Sequence, residues 1–221
     1  MISHVAAALA PVFGRMTVSA DATEPVVGGT ILAANHTSMV DPVVVVAALR
    51  RLGVEPVIMA TAGLWRVPVL GGALAREGHI PVHRGTARAA SSLSDAARAL
   101  EAGRCVLMYG EGGIPARRDS GEAAPLPFRS GLARLALATG APVRPVGQAG
   151  SRRVSSGTTA KQLAGVLTAP VRRPRLHVHV GAPLFLPEDL PEATAAAHGA
   201  VTSAWHTALS GLTGLTGTRS A

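Results

Sequence analysis

Cysteine is nearly absent from this 221-residue chain. Cys105 stands alone, which excludes a disulfide framework and a cysteine-built zinc site. Aromatic residues make up only 3% of the sequence, and Lys161 is its one lysine. Proteins that hold single-stranded nucleic acid interleave aromatic platforms with their cations. The formal charge of +8, from 21 Lys+Arg against 13 Asp+Glu, therefore points poorly to nucleic acid. Anionic lipid, a phosphate-bearing substrate and an acidic carrier protein would serve equally, and charge alone leaves all four partners open. A long apolar run is missing too. Mean hydropathy is +0.31, but the longest uninterrupted apolar stretch is Pro42 to Leu49, far short of the roughly 18 residues of a spanning helix. The opening MISHVAAALAPVFGRM carries no basic residue ahead of its apolar stretch and contains Pro11. That argues against a secretory signal and for a peripheral helix or docking segment.

What is present is core-forming material. Apolar residues are 48% and charged ones 15% of a length that suits one domain. Short apolar runs alternate with longer Ala-rich segments. Residues 30–34, 56–60, 79–82, 105–109, 143–147 and 176–180 are expected as strands, the last with His177 and His179 on one face. Helices are expected over 41–52, where Asp41-Pro42 is a favourable opening pair, over 86–102, 129–139 and 188–209, with a broken helical segment over 63–76. Residues 110–128 form a long Gly- and Pro-rich loop of the kind that carries function, and 151–174 reads as an irregular basic excursion. The alternation predicts an α/β fold, a single domain with a mostly parallel central sheet flanked by helices. We assign residues 1–27 as an N-terminal peripheral segment, 28–211 as the domain and 212–221 as a flexible tail.

Asn35-His36-Thr37-Ser38-Met39-Val40-Asp41 falls where a buried strand gives way to a helix. Ligands in such sheets bind outside the carboxyl ends of the strands. Across that turn the Asp41 carboxylate can return to the His36 imidazole, fix its tautomer and leave the second ring nitrogen to accept a proton. An isolated H-x4-D spacing is common by accident, and the bland alternative is a hydrogen-bonded pair at a helix start. Cys105, inside an apolar strand, reads as a buried thiol rather than a nucleophile. His79 and His83 lack a third ligand at metal-binding spacing, so no metal is expected.

The ordered blocks NHTSMVDP, WRVPVLGG, GHIPVHRG, VLMYGEGG, PVRPVG and RLHVHVGAPL together resemble the glycerolipid acyltransferases, the PlsC-like lysophosphatidate acyltransferase family, over about residues 28–188. The resemblance implies transfer of an acyl chain from acyl-CoA or acyl carrier protein to an acceptor hydroxyl, with no cofactor beyond the donor. His36 would be the general base and Asp41 its orienter, with backbone N–H groups at the helix start as oxyanion donors. Arg84 matches the family arginine that meets the acceptor phosphate, and Glu111-Gly112 match the Glu-Gly of the third block. No nucleic-acid partner is implied. A cytoplasmic protein is expected, peripheral on the inner face of the cell membrane.

One block departs from the family pattern. Where the family reads F-P-E-G-T-R-S, this chain reads Tyr109-Gly110-Glu111-Gly112-Gly113-Ile114-Pro115, without the threonine and the arginine. Arg117 and Arg118, a few residues on, are the candidate substitutes. This change, and the want of an N-terminal hydrophobic hairpin, open a second acceptor class: a hydroxyl or amine on a specialised metabolite or glycolipid. Leu64 and Trp65 are candidates either for an acyl tunnel or for ordinary core.

Overall fold

Strands that are apolar along their whole length must be covered on both faces, and the architecture follows from that. The computed structural model describes residues 2–21, 25–83, 89–114 and 119–214. β2 (Ile31–Ala34), β3 (Val57–Thr61), β4 (Ile80–Val82), β5 (Val106–Tyr109) and β6 (Val143–Ala149) run parallel. β7 (Arg175–Val180) adds antiparallel to β6, and β1 (Arg15–Ala20) adds parallel to β7. The result is one seven-stranded sheet in the order β1-β7-β6-β2-β5-β3-β4, mostly parallel as the alternation predicts.

Two apolar layers sandwich this sheet. On one side Leu32, Ala34, Leu107 and Val178 pack against α1 (Ile2–Phe13), α2 (Asp41–Arg51) and α7 (Thr159–Arg172). On the other, Ile31, Ala33, Val106 and Val143 meet α4 (Ala89–Glu101), α5 (Gly131–Thr139) and α8 (Leu190–Gly214). Alternate residues of β2 thus serve opposite layers, as the period-two geometry of a strand requires. The broken segment after β3 is a 3-10 turn, Ala62–Arg66, followed by α3 (Leu70–Arg76). Gly71 allows the two to touch, because a Cβ there would stand 2.2 Å from the Trp65 carbonyl oxygen.

Two segments differ from the sequence expectation. Residues 151–174 are not an irregular excursion but α6 (Ser151–Val154) and α7. The arginines at the ends of this stretch hide its helical spacing, in which Val166 and Ala169 pack inward. Gly165 lets α7 approach α6, where a Cβ would lie 2.3 Å from the Val154 carbonyl oxygen. Within residues 1–27, read as peripheral, α1 packs on α2 and β1 is an edge strand of the sheet. β1 escapes an apolar count because it pairs through polar side chains. Thr17 Oγ1 lies 2.7 Å from His177 Nδ1, and Ser19 Oγ lies 2.9 Å from both His177 Nε2 and His179 Nδ1. His177 and His179 are therefore buried in the seam between β1 and β7.

Candidate active site

β2 ends at Ala34, and the side chain of Asn35 continues its pairing with β6. Asn35 Oδ1 accepts the Gln148 N–H at 2.8 Å and Nδ2 donates to the Gln148 carbonyl at 3.1 Å. This side-chain imitation of a ladder pair fixes the exit angle of the chain just before His36. The turn is then closed by Asp41, the first residue of α2 and fully buried. One oxygen, Oδ2, accepts the N–H groups of Thr37 at 2.5 Å and Ser38 at 2.7 Å, and lies 3.0 Å from His36 Nδ1.

An ionised carboxylate only accepts hydrogen bonds, so the proton of this contact belongs to Nδ1 and the lone pair of the neutral ring to Nε2. The dyad expected from the sequence is formed. Of the backbone N–H groups near the helix start, those of Thr37 and Ser38 are taken by Asp41 and do not face an oxyanion.

Glu111, at the end of β5, reaches the same turn from the other side. Its two oxygens accept the His36 backbone N–H at 3.1 and 2.9 Å. Burial pushes its carboxyl up to about 8, against the pull of that hydrogen bond, so the group is chiefly protonated at neutral pH. Gly112 follows with φ +69°, and a Cβ there would stand 2.7 Å from Arg129 Cδ. Only glycine suits that backbone with the arginine seated on it. Tyr109 lays its ring against His36, with centroids 4.4 Å apart and planes at 31°. Burial, then the charges of Asp41 and Glu111, push its phenol well above the ordinary range.

His36 faces a cavity of about 700 Å³, within the roughly 300–1,000 Å³ span of small-molecule sites. Val43 and Val46 from α2, Ile58 from β3, Leu70 and Leu74 from α3 and Leu132 from α5 give it aliphatic walls. Leu64 also lines it. Trp65 is not among the described lining residues, so of the two tunnel candidates only Leu64 serves. Arg129 is the one Arg or Lys side chain among the described residues that line the cavity. No sequence pattern signals it: Gly112 and Arg129 are joined by a long loop, whose base closes through the Arg129 N–H and the Gly110 carbonyl at 2.9 Å.

Arg152, unlike the exposed Arg129, is buried. Arg152 donates to the carbonyls of Thr37 at 3.1 Å and Gly121 at 2.7 Å, tying the His36–Asp41 turn to the far part of the 110–128 loop. Arg84, Arg117 and Arg118 lie outside the described residues. His79 is spoken for: its Nδ1 accepts the Ile58 N–H at 3.1 Å, and burial lowers its pKa. Cys105 donates to the Val27 carbonyl at 3.4 Å, with its thiol pushed up by burial, the reverse of an activated nucleophile. Among the described residues no three His, Cys, Asp or Glu side chains converge on a metal position.

The family model of the acyltransferases matches residues 15–148. The chain belongs to the acyltransferase family. The matched span takes in His36, Asp41, Glu111, Gly112 and Arg129, so the whole cluster lies inside the acyltransferase region. This acyltransferase also resembles the crystal structure of the 1-acyl-sn-glycerophosphate (LPA) acyltransferase PlsC from Thermotoga maritima, with TM-score 0.69 and 17% identity over 100% of this chain and 80% of that one. At that identity the likeness is one of fold. No curated protein matches the acyltransferase.

Proposed function

We propose that this acyltransferase moves a fatty acyl group from a thioester, acyl-CoA or acyl carrier protein, to the hydroxyl of lysophosphatidate. The observation that carries this reading is a histidine held by a buried carboxylate at the edge of an apolar cavity, with no activated nucleophile beside it among the described residues. In this mechanism His36 Nε2 takes the proton of the acceptor hydroxyl as its oxygen attacks the thioester carbonyl. The C–S bond then breaks, and the imidazolium returns the proton to the departing thiolate. Asp41 holds the ring and stabilises its charged form. Glu111 is a positioning residue, holding the His36 backbone. The aliphatic walls suit an acyl chain, and Arg129 suits the anionic part of the acceptor or donor. Residue Arg84, with Arg117 and Arg118, supplies further cations in this reading. The reaction takes place at the inner face of the cell membrane, from the cytoplasmic side.

A second acceptor class is favoured by the third block alone. Gly113 and Ile114 stand where the family places threonine and arginine, and both line the cavity, making that wall less suited to phosphate. A hydroxyl or amine of a specialised metabolite or glycolipid fits such a wall. Purified protein, acyl-CoA and lysophosphatidate, with release of free thiol as the readout, decide between the two. Rapid turnover supports lysophosphatidate. No turnover with it, together with transfer to a non-phosphorylated acceptor, supports the second class.

A further inference from the structure

Helix α7 turns an aliphatic stripe outward. Leu163, Leu167 and Val171, at i, i+4 and i+8, are 61%, 69% and 88% exposed, while Val166 and Ala169 face the core. At 100° per residue these three fall within one arc, with Ala160, Ala164 and Pro170 among them, and exposed Lys161 and Arg172 follow on its flank. Helix α1, which touches α7, has exposed aliphatic residues of its own, Val5, Leu9 and Val12. Ala6, next round the helix from Val5 and Leu9, is buried and lines the cavity that His36 faces. Six aliphatic side chains on two adjoining helices form an apolar face that water does not favour.

The chain segment that carries α7 has charge of one sign, whereas beside the start of α1 Glu55 pairs with Ser3 and His4. From Ala123 to Pro187 the chain holds no Asp or Glu, against eight arginines and Lys161, more than its whole net charge of +8. Of these, Arg153, Arg172 and Arg173 are exposed at the ends of α6 and α7. Among the described residues no helix is long and apolar enough to cross a membrane. Aliphatic side chains with flanking cations on a helix that does not span are the composition of an interfacial contact with anionic lipid.

We infer that the outward faces of α7 and α1 form a docking surface for an anionic bilayer, with Leu163, Leu167 and Val171 entering the headgroup boundary and Lys161, Arg153, Arg172 and Arg173 meeting lipid phosphates. The site lies away from the His36 chemistry, and binding to it requires no catalysis.

The test is flotation of the purified full chain with two kinds of vesicle, phosphatidylcholine alone and phosphatidylcholine with phosphatidylglycerol. The expected result is binding to the anionic vesicles only, weakened by salt. A double variant, Leu163→Asp with Leu167→Asp, should bind at least about tenfold more weakly while keeping the wild-type circular dichroism spectrum and melting temperature. Leu167→Trp guards against loss of fold in that variant. Its fluorescence should shift to the blue and be quenched by brominated lipid only with anionic vesicles. Wild-type-level binding by the double variant would overturn the inference. So would failure of the wild type to bind either vesicle, or a wild-type dimer that the double variant converts to monomer without any change in lipid binding. Because flotation reads no turnover, failure of the acyl-transfer reading would leave this result standing, and the reverse also holds.

Discussion

Asp41 Oδ2 lies 3.0 Å from His36 Nδ1 and is the same oxygen that takes the backbone N–H groups of Thr37 and Ser38. One buried atom thus fixes both the shape of the turn and the tautomer of the ring. Replacing Asp41 by Asn keeps the size but removes the charge and lets an amide N–H face the imidazole. We expect Asp41→Asn to lower kcat by about 10²- to 10⁴-fold with little change in KM. Steady-state thiol release checks this, and near wild-type kcat would contradict the role of Asp41.

Glu111 makes stability fall as pH rises. Burial pushes its carboxyl up to about 8 in the folded state, from an ordinary value of 4.5. Between those values the folded state holds a proton that the unfolded chain has lost, so folding stability declines across the window. At about 1.4 kcal/mol per unit the full penalty is on the order of a few kcal/mol. Glu111→Gln imitates the protonated form and can still accept the His36 N–H. The variant should match the wild type near pH 5 and melt at higher temperature near pH 9. Parallel melting curves at both pH values would contradict the assignment.

Tyr109 buries a hydroxyl for which no described group is a hydrogen-bond partner. An unsatisfied buried donor costs about 1–3 kcal/mol. Tyr109→Phe removes only that oxygen and keeps the ring against His36. Urea unfolding should show a gain of about 1 kcal/mol, whereas a loss of stability would mean that the hydroxyl is paired.

Arg129 sits over Gly112 at the cavity wall. If it meets an anionic group, Arg129→Ala raises KM for the anionic substrate by about 10- to 100-fold, as loss of a charged hydrogen bond implies, and leaves kcat nearly unchanged. Arg129→Lys should recover only part of the loss, because an ammonium lacks the planar fork. An equal KM for all three proteins would remove Arg129 from substrate binding.

The frame of this molecule was legible from patterns that have one physical meaning. Apolar runs such as Ile31–Ala34 and Val106–Tyr109 read as buried parallel strands, and Asp41-Pro42 marked the start of α2. The His36-Asp41 pair was legible through the ordered blocks around it, since an H-x4-D spacing alone is common by accident. β1 was not legible, because its partners are Thr17 and Ser19 hydroxyls bonded to histidines of a strand some 160 positions away. α7 was masked by arginines and by Gly165, whose absence of a side chain serves close packing. Arg129 reaches the site through a loop, and no periodicity records where a loop returns; Arg152 reaches it from α6, a single helical turn too short to show a period. The fate of the Thr37 and Ser38 N–H groups also needed coordinates, since it depends on which of two acceptors, substrate or Asp41, lies nearer.

The central claim is that His36 removes the acceptor proton. Purified wild-type and His36→Ala proteins, given acyl-CoA and lysophosphatidate, should differ by at least about 100-fold in the rate of thiol release, with matching circular dichroism spectra. Transfer by His36→Ala at the wild-type rate would contradict the account.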